Sequence, residues 1–130
     1  MSLRVVRLGT PRHPDEGLRL GTVRRPPRGV PRAEFATRDF YDVWVPELAP
    51  SPELFSRATS QPFTDARWKR FAREYRQEMR APSAAHLIAL LARLSSQTNL
   101  SVGCYCADES RCHRSILREL LIEAGGTVLR

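Results

Sequence analysis

The sequence predicts an α/β protein: a small, mostly parallel sheet flanked by helices, in a single domain. Three observations predict this fold. Short apolar strands precede residue 46, amphipathic helices follow residue 51, and the chain ends in a helix–strand–helix–strand alternation. At 130 residues the chain is long enough to bury a core of its own. We therefore expect residues 1–130 to form one α/β domain whose N-terminal half is rich in proline and loops.

Alternating apolar residues predict three strands in the N-terminal half. Residues 3–8 and 18–23 flank a loop with two prolines, so they form either a hairpin with a long connection or two neighbouring strands. Residues 41–48 alternate around Val43 and Val45, and Pro46 limits that strand. Nine of the ten prolines lie before residue 63, which makes this half loop-rich.

Helical spacing dominates the C-terminal half. Ser51 caps a short helix that begins at Pro52, and a longer helix starts at residue 64 or 65 with an aromatic face. Ser83 caps the next helix, and Ser110 caps the last one. The predicted elements of this half are helices from 52, at 65–80, 83–95 and 114–124, and strands at 100–104 and 127–129.

Composition narrows the class of protein. The longest apolar run falls well short of the roughly 18 residues that cross a bilayer, so we expect no membrane partner. The first nine residues do not read as a secretory signal. Three cysteines within nine positions are an odd and local set, unlike an extracellular disulfide framework. We therefore expect a cytoplasmic location, with thiols that are free, redox-active or bound to a metal.

All three cysteines fall within residues 102–115, which we call the Cys-His-Arg loop. The stretch lies where the pattern changes from strand to helix. The amino end of the following helix directs free N–H groups and partial positive charge toward the loop. Such surroundings favour a thiolate or a bound anion.

Thiol chemistry is the first function that this loop predicts. Cys104 or Cys112 would act as a nucleophile beside His113, so we take these three as candidate catalytic residues. A neighbouring cysteine could resolve a sulfenate as a disulfide. No intact C-x5-R phosphate loop is present, because Cys106 to Arg111 is one residue too short. The sequence leaves open whether the protein is an enzyme.

Metal binding is an alternative. Cys104, Cys106, Cys112 and His113 offer three sulfur atoms and one nitrogen, a set that suits zinc or iron. The spacing differs from that of ordinary zinc sites, and adjacent residues in a helix diverge by about 100°. A third interpretation makes the cysteines buried structural residues.

The arginines predict an anionic partner. Net charge is +7, and Lys69 is the only lysine among 21 basic residues. Arg111 and Arg114 in the loop, with Arg24 and Arg28 from a proline-rich turn, are candidate ligand-binding residues. The predicted function is a cysteine-dependent enzyme or redox sensor that handles a small anionic ligand. The alternative is a nucleic-acid-binding module that uses the arginine-rich surface, with structural or metal-ligating cysteines.

Three motifs resemble a bacterial family known as domain of unknown function 488. Residues 44–54 read WVPELAPSPEL, similar to the family's WlkelAPSpeL, and residues 67–75 resemble its aromatic helix. Cys104 and residues 112–114 match its C-x-E-x5-C-H-R pattern, except that Cys106 replaces the Glu. In the turn that precedes residue 30, Val23 and Pro26 stand where the family has Asp and Trp. The resemblance implies a compact α/β protein of the bacterial cytoplasm and implies no particular reaction.

Overall fold

Four parallel strands form one sheet in the order β1-β4-β2-β3. A computed structural model provides these elements and describes residues 1–129. The strands are β1 (Leu3–Arg7), β2 (Leu18–Gly21), β3 (Val43–Trp44) and β4 (Leu100–Cys104). All three strand pairings are parallel, so the predicted sheet type is confirmed. The central strand β4 is buried along its whole length, as expected for a parallel sheet covered on both faces.

The helices of the described residues follow the predicted caps only in part. They are α1 (Pro52–Thr59), α2 (Asp65–Glu78), α3 (Pro82–Leu94) and α4 (His113–Glu123), with short 3-10 helices at Arg32–Glu34, Pro46–Leu48 and Glu109–Arg111. Ser51 and Thr64 cap α1 and α2, since their hydroxyl oxygens accept the backbone N–H groups of Leu54 and Arg67. Within this part of the chain, no helix is both long and apolar enough to cross a bilayer.

Two predicted caps are wrong. Ser83 does not precede α3: Ala81 holds the cap position and Pro82 is the first helical residue. Proline suits that position because its missing N–H would have no intrahelical partner. Ser110 lies in the preceding 3-10 helix, and Cys112 is the residue that precedes α4. The last predicted strand is reduced to a single parallel bridge between Leu3 and Val128.

Both predicted arrangements of β1 and β2 are wrong. The two strands neither form a hairpin nor lie side by side, because β4 pairs with each of them in parallel. The central position falls to β4 because its residues, including the small Ser101 and Gly103, tolerate burial on both faces. A Cβ atom at Gly103 would lie 2.8 Å from the Val6 carbonyl oxygen and from the Leu8 side chain, so this close packing requires glycine.

The predicted aromatic face of α2 packs into the main core. Phe71, Tyr75 and Met79 are buried against residues of the sheet and of α4. The Tyr75 hydroxyl donates a hydrogen bond of 2.7 Å to the Leu48 carbonyl, which satisfies the one polar atom of that side chain. This core fixes α4, and therefore the first residues of α4, against the sheet.

A second, smaller cluster lies beyond the carboxyl ends of the strands. Its buried members are Leu8, Val23, Tyr41, Cys104 and Cys112. The segments that leave β1 and β2 are held to β4 by backbone hydrogen bonds from Leu8 to Cys104 and from Thr22 to Gly103. Open parallel sheets leave crevices at this edge, and here it places two cysteines beside the start of α4.

Candidate functional site

The three cysteines of the Cys-His-Arg loop converge. Their sulfur atoms all lie within 4.8 Å of one another, and the Sγ atoms of Cys104 and Cys112 are 2.6 Å apart. All three residues are free thiols, with Cys104 and Cys112 buried and Cys106 exposed. The set is close enough to hold a metal ion. It also combines one exposed cysteine with two buried ones.

The convergence does not require β4 to continue. The strand ends at Cys104, and the turn that follows brings Cys106 back over it. Cys112 has extended backbone angles (φ −124°, ψ 147°), so the divergence of adjacent helical residues does not apply to it. The predicted divergence of Cys112 and His113 assumed a regular helix at a residue that lies just before the helix begins.

Negative charge in the cluster favours one sulfur. Interaction with the Cys104 and Cys112 thiols lowers the pKa of the Cys106 thiol, and the positive charge of Arg114 lowers it further. Interaction with Cys106 raises the pKa of Cys104, and interactions with Cys104 and Cys106 raise that of Cys112; burial raises the pKa of both thiols as well. Of the three thiols, the exposed Cys106 is the one whose pKa is lowered.

His113 is neutral and its tautomer is determined by its partners. Its Nε2 lies 2.7 Å from the Thr22 carbonyl oxygen, which can only accept, so Nε2 carries the proton. Its Nδ1 keeps a lone pair that faces the Cys112 sulfur at 3.7 Å. Burial lowers the pKa of His113 to about 4. Although it touches Cys112, it does not belong to the group of mutually close sulfur atoms.

Arg114 brings a buried positive charge to the loop. Its side chain is 3% exposed, and its Nη2 donates a hydrogen bond of 2.7 Å to the Cys106 carbonyl. Its Nε is buried and has no hydrogen-bond partner. No carboxylate among residues 1–129 lies within ion-pair distance of it, and Asp108 affects it only from farther away. A buried cation without a carboxylate calls for another anion.

The other predicted ligand-binding arginines lie elsewhere. Arg24 donates to the carbonyl oxygens of Ala49 and Pro50. Arg111 pairs with Asp65 and lies over the Trp68 ring. Their role in binding an anion at the cysteines stays a prediction.

Arg28 lines a groove with Tyr105, the residue between Cys104 and Cys106. The other two histidines of the chain, His13 and His86, are exposed, as the sequence suggested.

Sequence reasoning assigned Cys106 only to the metal set and chose the two buried cysteines as nucleophiles. What the sequence did not distinguish is the solvent exposure of the three cysteines. Alternation along an extended β4 would have buried or exposed Cys104 and Cys106 together. The strand was predicted to end at Cys104, as it does, but no feature of the sequence shows how the turn after it exposes Cys106.

Comparison with known proteins gives one finding. A family model described as Active DUF488-N3 subclade matches residues 3–125, nearly the whole chain. The resemblance carried by the tryptophan-proline segment, the aromatic helix and the Cys-His-Arg loop is thereby confirmed. No curated protein and no solved structure matches the chain.

Proposed function

The chain belongs to the DUF488-N3a family, and from this premise we propose that it is a cysteine-dependent enzyme or redox sensor whose reactive group is the Cys106 thiolate. One observation carries the proposal: three sulfur atoms lie within 4.8 Å of one another, and of the three residues only Cys106 is exposed.

The charge of Arg114 supports the same residue. The buried guanidinium of this side chain has no carboxylate partner among the described residues, and it holds the Cys106 carbonyl. A thiolate at Cys106 supplies the missing negative charge. The first turn of α4 adds backbone N–H groups on the same side of the loop. Ionised Cys106 and cationic Arg114 therefore stabilise each other.

The two buried cysteines suit a resolving role. With a hydroperoxide as oxidant, the Cys106 thiolate attacks the outer oxygen and the O–O bond breaks; the alkoxide or hydroxide that leaves takes up one proton from solvent to become an alcohol or water. Cys106 is then a sulfenic acid. Cys104 or Cys112 attacks its sulfur, a disulfide forms, and water is released with the proton of the attacking thiol. The Nδ1 lone pair of His113 faces Cys112 and can accept that proton.

The reactivity of each thiol tests the proposal. We expect iodoacetamide at pH 6 to modify Cys106 about tenfold faster than free cysteine, because only the thiolate reacts. Cys104 and Cys112 should react far more slowly, since both are buried. Mass spectrometry of the digested protein separates the three sites. Equal and slow modification of all three would contradict the proposal.

Oxidation provides the matched control. One equivalent of hydrogen peroxide should give a disulfide that includes Cys106, or its exchange product between Cys104 and Cys112. The Cys106→Ser variant keeps the two buried thiols and should oxidise much more slowly. If this variant forms the disulfide as fast as the unmodified protein, Cys106 is not the entry point.

Metal binding is a second candidate, favoured by the same closeness of the three sulfur atoms. Three thiolates form a set that suits zinc or iron, and His113 would remain a neighbour of Cys112. Elemental analysis of protein purified without chelator tests it. One zinc or iron per chain, lost in each single Cys→Ser variant, would favour metal binding over thiol reactivity.

Nucleic-acid binding remains the alternative from the arginine-rich composition. The observation in its favour is a cationic groove of about 350 Å³ on α2, lined by Arg73, Arg76 and Arg80. Of these, Arg76 is already paired with Glu119 and Glu123. Retention on DNA or RNA that falls steeply with salt would support this alternative, and retention at no salt concentration would remove it.

A further inference from the structure

A groove of about 580 Å³ adjoins the Cys-His-Arg loop and has no role in the chemistry described above. Its lining consists of Arg25, Pro26, Pro27, Arg28, Phe40 and Tyr105. The volume falls within the range of small-molecule sites. Two aromatic rings and two prolines make most of this lining apolar, and the two arginines are its only cationic groups.

The aromatic part of the groove is fixed. Phe40 and Tyr105 meet edge to face, with ring centroids 6.3 Å apart and an interplanar angle of 70°. The Tyr105 hydroxyl donates a hydrogen bond of 2.9 Å to the Arg25 carbonyl, which ties this ring to the proline-rich turn. Tyr105 thus belongs both to the groove and to the cysteine loop. A third flat ring can stack on such a surface.

The two arginines supply unpaired positive charge. Arg25 and Arg28 are exposed, and within residues 1–129 neither forms a salt bridge. Tandem prolines stiffen the turn that carries them. Gly29 closes this turn with a φ of +70°, a conformation that suits glycine. A rigid turn with two free guanidinium groups favours a phosphate, phosphonate or carboxylate.

We propose that this groove binds the substrate of the Cys106 site, and that the substrate is a small molecule with a flat aromatic ring and an attached anionic group. The ring lies against Phe40 and Tyr105, and the anionic group faces Arg25 and Arg28. The inference rests on the proposed function, because it names the substrate class for the same thiol. The link between the two sites is Tyr105, whose chain neighbours are Cys104 and Cys106.

Binding of three phosphonates to the unmodified protein tests the inference, since these compounds are not hydrolysed as phosphate esters are. We expect phenylphosphonate to shift the NMR signals of Phe40 and Tyr105 saturably. Its affinity should exceed that of methylphosphonate about tenfold, and that of cyclohexylphosphonate by a smaller factor of about threefold, because ring stacking adds to area burial. Equal affinities for the phenyl and methyl compounds would overturn the aromatic assignment.

Two variants test the charge. Arg25→Gln and Arg28→Gln together should weaken phenylphosphonate binding about tenfold or more, whereas Arg93→Gln, an exposed arginine on α3, should not change it. No loss in the double variant would overturn the role of the turn. Tighter binding of a single-stranded oligonucleotide than of phenylphosphonate, lost in the same variant, would overturn the small-molecule assignment.

The connection to the thiol has its own readout. Saturating phenylphosphonate should slow the alkylation of Cys106 by iodoacetamide at least about threefold, and methylphosphonate at the same concentration should slow it less. Binding without any protection would overturn the groove as the substrate subsite. If phenylphosphonate binds as expected but Cys106 reacts no faster than free cysteine, the groove stands and the proposed thiol function fails.

Discussion

Arg19 in β2 and Arg114 in the first turn of α4 are both buried. They differ in the groups that neutralise their charge. Arg19 has no exposed surface and forms a two-point ion pair with Glu16, at 2.6 and 2.9 Å. It also donates to the Thr10 and Asp39 carbonyls. Arg114 is almost as buried but has one hydrogen bond, a buried Nε without a partner, and no carboxylate in the described chain within ion-pair distance.

The difference lies in whether each cation has a carboxylate partner within the described chain. Ser101 donates to Glu16, and together with Arg19 it holds the pKa of Glu16 below its ordinary value although burial alone would raise it. In that cluster the cation has its own carboxylate partner. Arg114 has no such carboxylate within ion-pair distance among residues 1–129, and in our proposal the thiolate of Cys106, whose carbonyl it holds, is its counter-ion. Burial of charge is therefore less informative than the identity of its counter-ion.

The largest effect is expected from breaking the complete cluster. Glu16→Gln leaves the Arg19 cation buried without a partner, so the free energy of unfolding should fall by about 3–5 kcal/mol. Urea unfolding followed by circular dichroism measures this change. Asp15→Asn, at an exposed neighbouring residue, should stay within about 0.5 kcal/mol of the unmodified protein. Similar values for the two variants would remove the contrast between the arginines.

A smaller effect should follow from pH at His113, which touches Cys112 and precedes Arg114. Burial lowers the pKa of His113 to about 4, so the folded state binds its proton less readily than the unfolded state does. Stability is then complete above about pH 6.5 and declines as pH falls toward 4. Between pH 7.5 and 5 the loss should be about 2 kcal/mol.

The matched pair for that measurement is Cys106→Ser with and without His113→Asn. The serine removes the thiolate, whose titration would add to the slope, and asparagine keeps a donor for the Thr22 carbonyl. Carboxyl groups titrate mostly below pH 5 and contribute little in this window. If the double variant with His113→Asn loses as much stability between pH 7.5 and 5 as Cys106→Ser alone, His113 is charged in the folded protein at pH 5. Arg114 is then not the sole buried cation beside the thiols.

The fold was largely predictable because it depends on periodic patterns. The aromatic residues of α2 recur at helical spacing, and the apolar run of β4 is bounded by polar turns. The order of the strands was not predictable in the same way. Nothing local in residues 3–23 shows that β4, nearly eighty positions later, separates β1 from β2. That placement follows from which strand best tolerates burial on both faces.

The residues of the candidate site could be predicted as a group. Which of them are exposed and which are paired could not. Clustering in the sequence brought the cysteines, His113 and Arg114 to one loop, and the structure brings their side chains together. Exposure of Cys106 and burial of its neighbours depend on a single turn after β4. The missing carboxylate at Arg114 depends on every element packed around it. Neither property has a local signal, because both arise from tertiary packing.

Replacing Arg114 should change stability less than Glu16→Gln and should change reactivity more. Arg114→Gln removes a cation that has no carboxylate to leave behind, so the destabilising effect of an orphaned charge does not arise. The Cys106 thiol then loses a nearby positive charge, so its pKa rises and the pH at which its alkylation falls off moves upward.

The rate of Cys106 alkylation between pH 5 and 9 measures this change. Two control variants show whether the charge at residue 114 causes it. Arg114→Lys keeps the charge and should keep most of the rate below neutral pH. Arg118→Gln, one turn along α4 and paired with Glu109, should leave the pH profile unchanged. If Arg114→Gln lowers stability as much as Glu16→Gln and leaves the pH profile of Cys106 where it was, then Arg114 is structural in the same sense as Arg19. The thiolate of Cys106 would then not be the counter-ion of Arg114, and the two arginines would not differ as proposed.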